Sequence, residues 1–362
     1  MSNKLEPLII GDSQIKIPII QGAMGVKVST ASLASAVANY GGAGTIASVG
    51  LGYGTEENEA NFVKASREGL EKEIRQAKEL TQGIVGINIM VALSNYEDLA
   101  RTAVREKADF IVSGAGLPLK LPEFTNGTST KLVPIVSSAR AADIILRVWR
   151  KRYNRLPDAI VVEGPLAGGH LGFKPEDLES HKEDILENLV VDVLKVVKEY
   201  ERDLHINIPV IAAGGIFNGK DVAKFLGLGA KGVQIGTRFV ATFECPAASE
   251  FKKAYLSAGK EDVVIIKSPV GMPGRAIMTE FINRVMHGDR VPVKCNYQCI
   301  KTCDPKTAPY CIAKALFNAV IGNLDEAVVF AGSNVSRVEK IISVKELMDG
   351  IVDEATEELD KM

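Results

Sequence analysis

The stretch PVIAAGGIFNGKDVAKFLGLGAKGVQIGTRF, Pro209 to Phe239, reads as a strand, a glycine turn, a helix and a second strand. Pro209 to Ala213 is a short run of β-branched and small residues, closed by the pair Gly214 and Gly215. Lys220 to Leu228 has helical period, and Gly232 to Gly236 is again short and apolar. Two parallel strands need a crossover of a dozen or so residues, which a helix of this size supplies. Asn218 or Asp221 is placed to cap that helix by accepting from its unpaired N-terminal amides.

The same rhythm extends back to the start of the chain. Strands are expected at Ile17 to Gln21, Ala43 to Ala47, Val85 to Ile89, Phe110 to Ser113, Val133 to Val136 and Ala159 to Glu163. Helices are expected at Thr30 to Tyr40, with Ser29 or Thr30 as cap, and at Glu56 to Leu80, Tyr96 to Lys107, Ala139 to Tyr153 and Ile185 to Arg202. The heavily charged helix from Glu56 reads as a solvated outer face without a functional role. Eight strands alternating with helices predict an α/β chain folded as a (β/α)8 TIM barrel. Most of the strands end in Gly, Asn, Ser or Glu, which gathers polar and backbone-exposing residues at the end where barrels build active sites. After the eighth strand the rhythm breaks, with Pro and Gly punctuating Ser268 to Gly274. Residues 241–325 are therefore expected to form an inserted lid domain. Residues 1–240 and 326–362 form the barrel, which Ala327 to Gly332 and Val344 to Met362 return to close.

Composition narrows the partners. At 46% hydrophobic and 24% charged residues, the chain has ample apolar surface for a large core. Lys+Arg 43 against Asp+Glu 45 leaves a net charge of -2, without the basic excess that binding a phosphate backbone requires, so nucleic acid is excluded. Neither a basic-then-apolar leader nor a run approaching ~18 apolar residues is seen, so the expectation is a cytoplasmic protein without a membrane partner. Five cysteines, four of them between Cys295 and Cys311, do not resemble a disulfide framework.

The chemistry concentrates in EGPLAGGHLG, Glu163 to Gly172, directly after the sixth strand. Its glycines allow a backbone path that side chains would block, and they present His170, a general base or hydrogen-bond donor near neutral pH. The loops after the seventh and eighth strands offer Gly214, Gly215, Gly236 and Thr237 as a phosphate cradle, because barrels place helix-terminal amides there. Without GxGxxG after an early strand, a Rossmann dinucleotide site is not supported.

Five segments in this order, PIIQGAMGVKVSTASLASAVANYGGAGTIAS (Pro18 to Ser48), GINIM (Gly86 to Met90), EGPLAGGHLG, AAGGI and GVQIGTRF, resemble the family that holds nitronate monooxygenases and flavin-dependent enoyl-ACP reductases. The resemblance spans about residues 18 to 280 and implies an FMN-containing barrel. It carries the family's flavin contacts onto Gly22, Ala23, Met24, Asn88, Glu163, Gly168, Gly215 and Gln234, Ile235, Gly236 and Thr237, and its catalytic histidine onto His170. Glu163, and SPVGMPGRAI from Ser268 to Ile277, look like the reductases rather than the monooxygenases. An ionised carboxylate beside a flavin disfavours an anionic reduced ring by like-charge repulsion.

The expected activity is oxidation of alkyl nitronates by O2 to a carbonyl compound and nitrite. The alternative is an enoyl-ACP reductase using NAD(P)H and acyl carrier protein, and self-association as a homodimer stays open. A third reading, from another class, is a metal-binding electron-relay scaffold without turnover. In KCNYQCIKTCDPKTAPYC a helix would set Cys295, Cys299 and Cys303 on one face at i, i+4 and i+8. Such thiols suit an iron–sulfur cluster, zinc or plain reduced packing. No metal ligand is assigned, and Cys245 is read as packing.

Overall fold

The computed structural model describes residues 5–55, 61–179, 185–295 and 298–362. A hairpin of β1 (Leu8–Ile10) and β2 (Ser13–Ile15) precedes β3 (Ile19–Gln21), β4 (Gly44–Ala47), β5 (Val85–Met90), β6 (Phe110–Gly114), β7 (Lys131–Val136) and β8 (Ile160–Glu163). After a short β9 (Gly169–His170) come β10 (Val210–Ala213) and β11 (Gly232–Ile235). All but β1, β2 and β9 form one parallel eight-stranded sheet, ordered β3-β11-β10-β8-β7-β6-β5-β4. Its seam is bridged at Ile20 and Ala43, where Gln21 N–H donates to Ala43 O at 2.9 Å and Ala43 N–H to Ile19 O at 3.0 Å. The expected (β/α)8 barrel is therefore the fold, and each expected strand lies within two residues of its place.

Strand alternation sorts the core into two layers. Ile20, Phe110, Val112, Val133, Val161 and Ile211 point inward and pack with Leu8, Ile10 and Ile15 of the hairpin, which plugs one end of the barrel. The hairpin went unread in the sequence because each strand is only three residues long, turning at Gly11 with φ 61°. Ile19, Ile87, Ile111, Val162, Val210 and Val233 point outward beneath the helices. Among these, Ala139–Tyr153 buries Ile145, Leu146 and Trp149, and Ile185–Leu204 buries Val190, Val193 and Val197. Each such side chain contributes about 1.5–3 kcal/mol.

Helix starts show how local chemistry was redistributed. Asn218 and Asp221 both act, forming a capping box on Gly219–Gly227. Thr30 precedes Ala31–Tyr40 but its side chain makes no cap bond; Glu73 Oε2 accepts from Ala31 N–H at 2.7 Å instead. Ser29 is turned inward, its Oγ accepting from Met24 N–H and Gln21 Nε2, both at 2.9 Å. The helix expected from Glu56 runs Phe62–Leu80, residues 56–60 lying outside the described ones. Its face carries surface pairs such as Lys64–Glu68, but Glu73 has a structural task that reading it as solvent-facing did not include.

After β11 the chain leaves the barrel. It forms β12 (Val263–Lys267), β13 (Pro273–Ile277) and β14 (Val329–Phe330). β13 is the centre of this small sheet, antiparallel to β12, β14 and β9, so it fastens the loop after β8 to the later segment. The last helix, Val344–Leu359, packs on Gly219–Gly227 and Ala31–Tyr40 and buries Leu347, Met348 and Ile351. Among the described residues no helix is long and apolar enough to cross a membrane.

Candidate active site

A cavity of about 270 Å³ opens at the C-terminal ends of the barrel strands. Gly22, Ala23 and Met24 follow β3, Asn88 lies on β5, Glu163 ends β8, and Gly168 and His170 belong to the loop beyond it. Gly214 and Gly215 follow β10, Gln234 is on β11, and Gly236 and Thr237 come next; all of these border the same cavity. Ile235 does not. Its side chain points into the outer core, while its carbonyl accepts from Gly22 N–H at 2.8 Å and so sets the floor of the site.

Among the described residues no hydrogen bond occupies the amides of Ala23, Gly214, Gly215, Gly236 or Thr237. Left unpaired on a half-buried cavity wall, this set offers its donors to a ligand rich in acceptors. The glycines are there for space: a Cβ at Gly214 would stand 2.8 Å from Gly164 O, and Gly214 and Gly215 have φ of 92° and 91°. Asn334 Nδ2 donates to Gly215 O at 2.5 Å, and Gly332 N–H to Thr237 Oγ1 at 2.9 Å, which ties the returning chain to both loops. Ser48 Oγ and Asn95 Oδ1, buried against the cavity, have no partner among the described residues either. Free amides, a cradle without side chains and orphaned polar atoms fit a phosphorylated ring cofactor such as FMN.

Two titratable groups face the cavity from the end of β8 and the loop that follows it. His170 shares a hydrogen bond with Ser268 through Nε2 and Oγ at 2.7 Å, and meets Phe330 edge-to-face with centroids 5.0 Å apart. That bond holds the ring, and among the described residues Nδ1 makes no hydrogen bond. Burial pushes its pKa down to about 4, so the imidazole is neutral at pH 7. The Glu163 carboxyl has no hydrogen bond or ion pair among the described residues, and burial pushes it up to about 7. No lysine or arginine is among the described residues lining the cavity.

The loop is held from behind by Arg275 on β13. This buried guanidinium donates from Nη1 to Pro165 O, and to Ala167 O at 2.8 Å. β13 also pairs Gly274 with His170 and Arg275 with Gly169. Ser268, Phe330, Arg275, Ser48, Asn95 and Asn334 were not assigned from the sequence. Ser268 and Arg275 fall within the SPVGMPGRAI segment, so the region was visible there although the contacts were not.

The cysteine segment departs from expectation. Residues 289–295 and 298–311 contain neither helix nor strand, so no helical face carries Cys295, Cys299 and Cys303. Pro292, Pro305 and Pro309 remove amide donors, and Gln298 at φ 41° takes a backbone path that breaks a helix. Cys299 nevertheless borders the cavity. Cys245 is buried, its Sγ 3.9 Å from Val28 O.

Comparison with known proteins agrees with this geometry. The family model described as nitronate monooxygenase matches residues 6–108 and 94–354. The chain is 27% identical to the (3aS,4S,5R,7aS)-5-hydroxy-7a-methyl-1-oxo-octahydro-1H-indene-4-carboxyl-CoA dehydrogenase of Rhodococcus jostii, across 96% of this chain and 95% of the other. It is 27% identical to the probable nitronate monooxygenase of Staphylococcus saprophyticus, across 80% and 83%. FabK from Thermotoga maritima superposes with a TM-score of 0.74 at 28% identity, covering 96% and 95% of the two chains. With the family model matching nearly the whole chain, this protein belongs to the nitronate monooxygenase family of flavin-dependent oxidoreductases.

Proposed function

We propose that the chain is an FMN-dependent nitronate monooxygenase, oxidising alkyl nitronates with O2 to a carbonyl compound and nitrite. The observation that carries this reading is a neutral imidazole, His170, on the wall of a cavity whose far loops present unpaired amides. Bound FMN would supply the electron acceptor. The amides of Gly214, Gly215, Gly236 and Thr237 would hold its phosphate, while Gly22, Ala23, Met24, Asn88, Glu163, Gly168 and Gln234 would surround the ring. Ile235 would act through its carbonyl on Gly22. His170, held by Ser268, takes the α-proton of a neutral nitroalkane at Nδ1. With no lysine or arginine among the described residues of the wall, the imidazolium formed as His170 takes the proton is the charge that faces the developing nitronate. Residues 241–325 act as the lid, placing Ser268, Tyr255 and Cys299 over the barrel end.

A second reading is favoured by the name of the Rhodococcus jostii relative, an acyl-CoA thioester dehydrogenase similar over 96% of this chain. One side of the cavity is apolar, lined by Phe62, Leu99, Phe251, Ile312 and Leu316, and suits an acyl chain. NAD(P)H or acyl carrier protein would then be the partner. Anaerobic mixing of flavin-loaded protein with a nitronate, NADH or NADPH separates the two. Bleaching of the flavin by the nitronate and slow bleaching by both nicotinamides is expected. Fast reduction by a nicotinamide with thioester turnover, and none by nitronates, would overturn the first reading.

A further inference from the structure

The cysteine segment has no part in the chemistry above, yet it is built into the cavity wall. A stretch this long without its own ladder must be secured by other means. Its two arms are tied together: Val291 N–H donates to Pro309 O at 2.8 Å, and Arg290 Nη2 to Thr307 O at 2.9 Å. Its middle is pinned to the loop after β5, where Ser94 N–H donates to Cys299 O at 3.0 Å and Lys301 N–H to Ala92 O at 2.9 Å. Cys311 stands directly before the helix Ile312–Val320, which lines the same cavity as Cys299. The four thiols are free and half-buried, and the tie between Val291 and Pro309 sets the stretch leading to Cys295 beside the one leading to Cys311. Cys299 lies within electrostatic reach of Cys311, Cys295 and Cys303, and Cys303 within reach of Cys311 and Cys295.

We infer that Cys295, Cys299, Cys303 and Cys311 form a four-thiolate site for a soft metal centre, zinc or an iron–sulfur cluster, that fastens the cavity wall. Both centres take this donor set. Without metal, no three of these thiols among the described residues already close on one point, so uptake turns them inward. Each thiol releases its proton to solvent as its sulfur–metal bond forms, and binding therefore tightens as pH rises. The site stands apart from the proposed reaction, because neither its ligands nor its test depends on turnover.

The test uses the full chain, prepared anaerobically and then loaded either with Zn²⁺ alone or with Fe²⁺ and sulfide. Stoichiometric metal is expected from one arm: about one zinc, or about four iron with four sulfide and broad visible absorption. Cys299→Ser and Cys303→Ser should lose roughly tenfold or more of the metal affinity, as removal of a ligand does, while Cys245→Ser keeps it. Should the serine variants fail to fold, alkylation of the wild type decides. Metal should shield the four thiols and a chelator should expose them. Natively folded protein that takes up neither metal, or whose thiol reactivity is the same with and without loading, would overturn the site.

Discussion

Glu163 at the end of β8 and His170 seven residues further on are shifted in opposite directions by the same cause, removal from water. Because His170 falls to about 4, it remains a free base through the neutral range. His170→Ala should keep the flavin and lose about 10²- to 10⁴-fold in turnover of neutral nitroalkanes, with a smaller loss on preformed nitronates. Steady-state rates on the two substrate forms check this, and equal rates for mutant and wild type would remove His170 from the mechanism. Glu163 holds its proton in the native state up to about pH 7, whereas the unfolded chain releases it near 4.5. That contribution is present below pH 4.5 and is lost as pH rises through 7. Glu163→Gln should therefore gain in melting temperature over wild type as pH climbs from 5 to 8, and a pH-independent difference would contradict a buried, unpaired carboxyl. His170 has the opposite sign: its contribution is present above 6.5 and is lost as pH falls through about 4.

At the scale of elements, the site depends on loops that the strands hold and β13 braces. A side chain at Gly215 would be strained at φ 91° and would stand 2.9 Å from Leu166 Cβ, across the face that offers its free amide. Gly215→Val should release FMN while the far-ultraviolet circular dichroism stays native; filtration of bound flavin reads this, and retained affinity would move the phosphate site elsewhere. Arg275 braces the histidine loop from outside the barrel sheet. Arg275→Met leaves the carbonyls of Pro165 and Ala167 without their donor, costing about 1–3 kcal/mol at each unsatisfied group that stays buried. The expected result is a lower kcat with little change in flavin content, and Arg275→Lys should recover part of it. If both variants matched wild type in kcat, the bracing role would be wrong.

For the whole molecule, closure comes from the chain's two ends. The N-terminal hairpin fills one mouth of the barrel, and the last helix covers the seam beside β3, more than a hundred residues after β11. Leu347, buried at 1% exposure, anchors that helix. Leu347→Ala should cost about 2–5 kcal/mol, measured by urea unfolding, with the kcat of the folded enzyme unchanged. A cost under about 1 kcal/mol would mean that the helix merely rests on the barrel.

The amino-acid sequence alone was enough for the eight barrel strands, the longer helices between them, and the glycine loops with His170, but not for the single turn Leu121–Phe124 between β6 and β7. Each of these is a local signal: short apolar runs at a strand's length, helical period, and glycines where side chains cannot fit. Membership in the flavin-dependent family followed from five such segments in order. Only the tertiary structure decided what holds His170. Ser268, Phe330 and Arg275 are far from it in sequence, and strand pairing through β13 brings them to the loop. The same holds for Glu73 on a charged helix and for Cys299 in an irregular segment. A side chain's partner depends on which distant backbone passes beside it, and spacing along the chain carries no record of that.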